Sequence, residues 1–204
     1  MILSPTAQRW LAAMALLALA ACEDRGASGD LPDYSGDLPA DTGIFVEEMA
    51  VAVASCNDTA ARAEQGWQAH SQGRLSDRSA IVLAEDAIAT CDDSLAVMEA
   101  LAAPPSAEDE QRQSFDKARQ ECRSKFKATR DYVALIPAMI RREASPEQEA
   151  GFAQSYRMAT SDSGPCAQAI LTAGERGGLS WRDINDALTA ANARLAAPPE
   201  TAGR

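Results

Sequence analysis

Residues 76–105 read SDRSAIVLAEDAIATCDDSLAVMEALAAPP. Within them Ile81, Ala84, Ile88, Cys91, Leu95, Met98 and Ala102 recur at strictly alternating intervals of three and four. A helix of 3.6 residues per turn puts residues so spaced on one face, whereas a strand would need alternation with period two. Ser76 is a suitable N-cap, and Pro104-Pro105 cannot continue a helix. A helix with a single apolar stripe has to bury it against other helices.

Both flanks supply them. From Asp41, the residues Phe45, Met49, Ala52, Cys56, Ala60, Ala63 and Trp67 form a second stripe, with Gly73 as its stop. After the prolines, Ser106 and Asp109 predict a helix start, and Phe115, Ala118, Cys122, Phe126, Thr129, Val133, Ile136 and Ile140 follow it. Pro137 predicts a kink or break inside that run. Ser145-Pro146-Glu147-Gln148 combines an N-cap, a proline at the first helical position and an amide three residues after the cap. The helix it opens carries Phe152 and Tyr156, and is expected to restart at Pro165 to bury Cys166, Ala169, Ile170 and Ala173 before Gly177-Gly178. Ser180 and Asp183 start the last helix, with Trp181, Ile184, Leu188, Ala191 and Leu195 expected inward. No stretch alternates with period two. The expected fold is therefore all-α: an antiparallel helical bundle of four to six segments over residues 41–197, followed by a loose tail at 198–204.

The N-terminal region differs in kind. Trp10 to Ala21 is a twelve-residue run without charge, the length of a signal-peptide core and too short to span a bilayer, which takes about 20 residues. It ends in Leu19-Ala20-Ala21-Cys22. This resembles the lipobox of bacterial lipoproteins. The resemblance implies cleavage of residues 1–21, a diacylglyceryl group on the Cys22 sulfur, and often an acyl group on the new amine. Acyl chains at about 0.8 kcal/mol per buried methylene would make that anchoring stable. The same resemblance implies a periplasm-facing location, and Glu23 in place of an aspartate favours the outer over the inner membrane. Residues 23–40 are rich in Gly, Ser, Asp and Pro and repeat Ser-Gly-Asp-Leu-Pro at 28–32 and 35–39, which reads as a tether reaching about 60 Å when extended.

Net charge is −11, and −12 once Arg9 leaves with the leader, which argues against nucleic acid as a partner. Setting Cys22 aside leaves four cysteines, an even number in an exported chain, so two disulfides are expected. Helix geometry chooses among three connectivities. Cys56 lies 17 residues before Gly73 and Cys91 15 after Ser76; Cys122 lies 21 before Glu143 and Cys166 20 after Pro146. Each pair is thus nearly level in an antiparallel hairpin, whereas Cys91 and Cys122 would be offset by about 7.5 Å. The expected bridges are Cys56–Cys91 and Cys122–Cys166.

Candidate chemistry is sparse. His70 is the only histidine, so a di-iron bundle lacks its ligands, and no nucleophile motif accompanies Ser71; neither a metal nor a cofactor is expected. The doublets Glu47-Glu48, Glu85-Asp86 and Asp92-Asp93 point about 100° apart on a helix and read as solvated faces. Residues 117–130 hold Lys117, Arg119, Arg123, Lys125, Lys127 and Arg130 against one acid, Glu121. Arg119, Arg123 and Arg130 share one flank, which either contacts an anionic envelope component or pairs with Glu85, Asp92 and Glu99 of the preceding helix. The functional expectation is a lipid-anchored envelope protein with a structural or binding role, more in keeping with this pattern than an enzyme. The alternatives are a glycan-directed enzyme using carboxylates on facing helices, and an inhibitor or adaptor of another envelope protein.

Overall fold

The computed structural model describes residues 32–160 and 164–196. The leader, Cys22, residues 23–31 of the tether and the tail at 198–204 lie outside them. The helices are α1 (Leu38–Ser71), α2 (Asp77–Ala100), α3 (Asp109–Val133), α4 (Ile136–Arg141), α5 (Pro146–Thr160), α6 (Gly164–Arg176) and α7 (Trp181–Ala196). No strand occurs among the described residues. The fold is the expected all-α bundle, with α4 a short segment of 6 residues.

Helix starts follow local chemistry. The Ser76 hydroxyl accepts from the Ser79 N–H. Ser145 and Gln148 satisfy one another's backbone N–H groups, as do Ser180 and Asp183. The third expected start is displaced: α3 opens at Asp109, with Glu108 and Gln111 forming the capping box. Ser106 instead sits in the turn closed by Ala107 N–H to Pro104 O, which the proline pair imposes. The expected break near Pro137 is real. Helix α3 stops at Val133, and Pro137 occupies the first turn of α4, where its missing N–H costs nothing. Helix α1 ends as Gly73 predicts: with φ +68° it lets Gly73 N–H reach His70 O and Arg74 N–H reach Ala69 O.

Two of these caps are acid-sensitive. Bonds to its own backbone N–H and to the Ser145 hydroxyl hold the Glu147 carboxyl below its usual range. Bonds from the Ser180 hydroxyl and N–H do the same for Asp183. A depressed carboxyl contributes stability above its unfolded pKa, which is lost as pH falls through the folded value. Acidification below about pH 4 is therefore expected to fray the first turns of α5 and α7. Amide exchange at those turns checks this against the first turn of α2, whose cap joins Ser76 to Ser79 without a carboxyl.

Packing centres on α1 and α3. Helix α1 lies against α2 along most of its length and also touches α3, α6 and α7; α3 packs on α2, α5 and α6. Two core clusters result. One gathers Phe45, Met49, Phe115, Phe126, Met98 and Ile184 around the buried cysteines, with Phe45 and Phe115 edge to face at 4.8 Å. The other gathers Ala60, Ala63, Ala80, Ala84, Ala87, Tyr132, Val133, Ile136 and Ile140 where α4 and α5 close the bundle. The stripe of α2 is rotated from its expected centre. Ala80, Ala84, Ala87, Cys91, Ser94, Met98 and Leu101 are buried, Ile81, Ile88 and Leu95 are half-buried, and Ala102 is exposed. The cause is the closeness of α1, where the Cα atoms of Cys56 and Cys91 are 4.5 Å apart and Leu83 finds room only over the bare Gly66. Only small residues fit between backbones so near, and the larger ones move to the flanks. Trp181, expected inward, is 60% exposed. It is the first residue of α7, and the buried face begins one turn later at Ile184.

Both disulfides form as expected. Cys56–Cys91 joins α1 to α2 with Cα atoms 4.5 Å apart, and Cys122–Cys166 joins α3 to α6 at 4.6 Å. The second pairing holds although the breaks expected near Pro137 and at Pro165 both interrupt the helices along which its heights were counted. Helix α3 stops at Val133, short of the connection, and Cys166 belongs to α6 and not to the helix opened at Pro146.

Candidate functional sites

The basic flank of α3 faces two ways. Arg130 grips Asp92 through Nε at 2.9 Å and Nη2 at 3.4 Å, and that bond raises its pKa further. Arg123 pairs with Glu99. Seven residues separate the arginines and seven separate their partners, the register of an antiparallel helix pair. The same register explains the two exceptions. Glu85 would meet position 137, beyond the end of α3, and stays exposed. Arg119 would meet position 103, beyond the end of α2, and turns to Asp116 of its own helix. Two of the three flank arginines are thus engaged within the bundle, one of the two sequence-based alternatives. Such half-exposed pairs are worth about 0.2–1 kcal/mol each. Reversing Arg123 and Arg130 to Glu sets like charges together across two helices and is expected to lower the melting temperature by a few degrees, an effect carried by the Glu99 and Asp92 pairs. Thermal unfolding at low and high salt checks this, since screening should shrink the effect.

The carboxylate doublets do not assemble a catalytic pair. Glu47 and Glu48, expected to diverge, meet on one cation: Arg194 Nη1 lies 3.1 Å from Glu47 and 2.6 Å from Glu48. Long side chains let neighbours converge on a guanidinium brought by α7. Asp86 approaches Arg62, Asp92 holds Arg130, and Asp93 is exposed. His70 Nδ1 lies 3.4 Å from Leu75 O and 3.6 Å from Asp77, fastening the α1–α2 turn. The Ser71 hydroxyl donates to Gln68 O and not to the imidazole. Among the described residues no group of three or more His, Cys, Asp or Glu is placed to hold a metal ion. A shallow cleft of about 150 Å³ between α3 and α6 is lined by Ser114, Lys117, Glu121, Pro165, Gln168 and Thr172. It is smaller than common ligand pockets, and its hydroxyls on Ser114 and Thr172 donate to carbonyls of their own helices.

One arrangement has no counterpart in the sequence reading. The Asp41 carboxylate, buried in the first turns of α1, accepts from Ser35 N–H (2.7 Å), Ser35 Oγ–H (2.9 Å) and Gly36 N–H (2.9 Å). Tyr34 donates to Ala102 O at 2.7 Å in the α2–α3 connection. Burial, reinforced by the Asp41 charge, pushes this phenol up to about 12. Residues 34–37, read as tether, are therefore fastened to the bundle, and α1 begins at Leu38, three residues before the expected Asp41. The available signal was Asp41 itself, an acid in the first turns of a helix started by Leu38-Pro39. Compared with protein-family models, curated proteins and solved structures, the chain matches none of them.

Proposed function

We propose that this chain is a lipid-anchored cell-envelope protein whose helical bundle faces the periplasm and has a structural or binding role. The observation that carries this reading is Leu19-Ala20-Ala21-Cys22 at the end of a twelve-residue uncharged run. Two closed disulfides in the bundle fit an oxidising compartment. Glu23 after the anchored cysteine favours the outer membrane. The partner in this reading is another envelope protein or an anionic envelope component. An enzyme acting on glycans needs two carboxyl groups facing one cleft. The doublets of α1 and α2 are taken up by arginines or lie singly on exposed faces, which favours the binding role.

Cys22→Ser is expected to abolish incorporation of a labelled fatty acid, to leave uncleaved precursor and to remove the protein from the detergent phase. A variant that matures normally and still partitions into detergent would sink the anchor. Crosslinking followed by purification from detergent-solubilised envelopes tests the binding role: recovery of one stoichiometric partner supports it, and hydrolysis of envelope glycan by the purified protein speaks for the enzyme.

A further inference from the structure

The residues fastened ahead of α1 bear on how the bundle sits on its anchor. Asp41 and Ala102 O hold Tyr34, Ser35 and Gly36 at four hydrogen bonds, so the chain is held to the bundle from Tyr34 onward and not from Ala40. From Cys22 to Tyr34 is twelve residues, at most about 43 Å of chain. If the clasp were open the count would run to Leu38, sixteen residues and about 55 Å.

The exit point lies at an identifiable end of the bundle. Thr42 Oγ1 lies 3.3 Å from Gly177 O, and a Cβ on Gly178 would lie 3.4 Å from Pro39. Gln111, in the first turn of α3, donates to Arg176 O at the end of α6. The starts of α1, α3 and α7 and the end of α6 therefore meet here. Trp181 stands three residues after Gly178, one of two large apolar side chains exposed among the described residues. Trp67 lies 25 residues along α1 from Thr42, about 37 Å away, close to the α1–α2 turn. On the elements of the exit end the exposed acids Asp33, Asp37, Glu108, Asp109, Glu110, Glu175 and Asp183 outnumber the exposed Arg112, Arg176 and Arg182. Charge does not draw such an end to an anionic bilayer, so its position depends on the covalent connection.

Resting on the lipid-anchor reading, we infer that residues 34–37 form a strap that joins the anchor to one end of the bundle, making the Trp181 end membrane-proximal and presenting the α1–α2 turn, α4 and α5 outward. An indole exposed at that end suits the headgroup region, where Trp is favoured. Any partner in the periplasmic space would meet the outward end first.

Removal of residues 1–21 takes Trp10, so the mature chain holds two tryptophans, Trp67 and Trp181. The lipidated protein is placed in phosphatidylcholine vesicles carrying a dansyl-headgroup phospholipid, and energy transfer is read from Trp181 alone (Trp67→Phe) and from Trp67 alone (Trp181→Phe). Transfer from Trp181 is expected to exceed that from Trp67 several-fold. Opening the strap with Tyr34→Phe and Asp41→Ala, which together remove all four bonds, should reduce transfer from Trp181 and speed amide exchange at Gly36, with the circular dichroism of the bundle unchanged. Equal transfer from the two tryptophans overturns the orientation. Fast exchange at Ser35 and Gly36 in the unaltered protein, or strap variants that leave transfer unchanged, overturns the strap. The mass of the N-terminal lipopeptide separates the two readings: a missing lipid defeats the anchor, while lipid present with equal transfer defeats only the orientation.

Discussion

Replacing Cys122 and Cys166 by alanine is expected to lower the melting temperature by roughly 8–16 °C. The bridge closes a loop with a sequence separation of 44 that contains α4, α5 and the start of α6. Constraining an unfolded loop of that length is worth about 4 kcal/mol in the chain-entropy model, against a total stability of about 5–15 kcal/mol for a typical domain. In the folded state the bridge also holds α6 against α3 beside Phe126 and Phe115, so its loss leaves two small side chains where two sulfurs filled the core. Cys56→Ala with Cys91→Ala should cost a similar amount, and all four together should unfold the bundle at growth temperature. Because Cys56, Cys91 and Cys122 have no exposed surface and Cys166 only 3%, a thiol reductant should act on the native protein slowly and on the heated protein fast. Melting curves of the two paired variants test this. A change below about 3 °C for either pair would show that the bridge adds no constraint, and four free thiols in exported protein would remove both bridges from the account.

Gly177→Ala is expected to destabilise the domain by about 1–3 kcal/mol, an overpacking effect with no loss of charge or apolar area. A Cβ at this position would overlap Thr42 Oγ1 and lie 2.5 Å from its Cγ2 and 2.8 Å from its Cβ. Thr42 cannot swing aside easily. It is β-branched, fully buried, and its hydroxyl donates to Leu38 O at 2.7 Å. The strain would fall on the junction of α1 with the α6–α7 turn, where the strap is also seated. Thr42→Ala should recover part of the loss when combined with Gly177→Ala, because it removes the two nearest atoms. Denaturant titration of the single and double variants gives the coupling. Purely additive effects would mean that the α6–α7 turn does not press on α1 as the structure has it.

The helices themselves were legible because each rule used was local. Three- and four-residue spacing, Ser76, Ser145 and Ser180 as caps, Gly73 as a stop and Pro137 as a break concern groups within a few residues of one another. The cysteine pairing was legible for a related reason, since helix rise converts sequence position into height along the bundle. Height alone pairs Cys122 with Cys166 although the helix carrying Cys166 is a separate one. The anchor at Cys22, by contrast, is read from the sequence alone.

What depended on tertiary structure was the face of each helix and the partner of each charge. Periodicity gives the direction of a stripe only to within about one residue, or 100°, so α2 could be centred on its isoleucines or its alanines. The close approach of α1 selects the alanines, and a large side chain enters, as Leu83 does, over a glycine. Whether Arg119, Arg123 and Arg130 face solvent or acids depends on where α2 and α3 end, a matter of register between two segments. Residues 34–37 look like linker because Ser, Gly and Asp favour turns and solvent. Asp41 holds Ser35 and Gly36, and the Ala102 carbonyl, 68 residues away in sequence, holds Tyr34, an acceptor that only the folded bundle brings within reach.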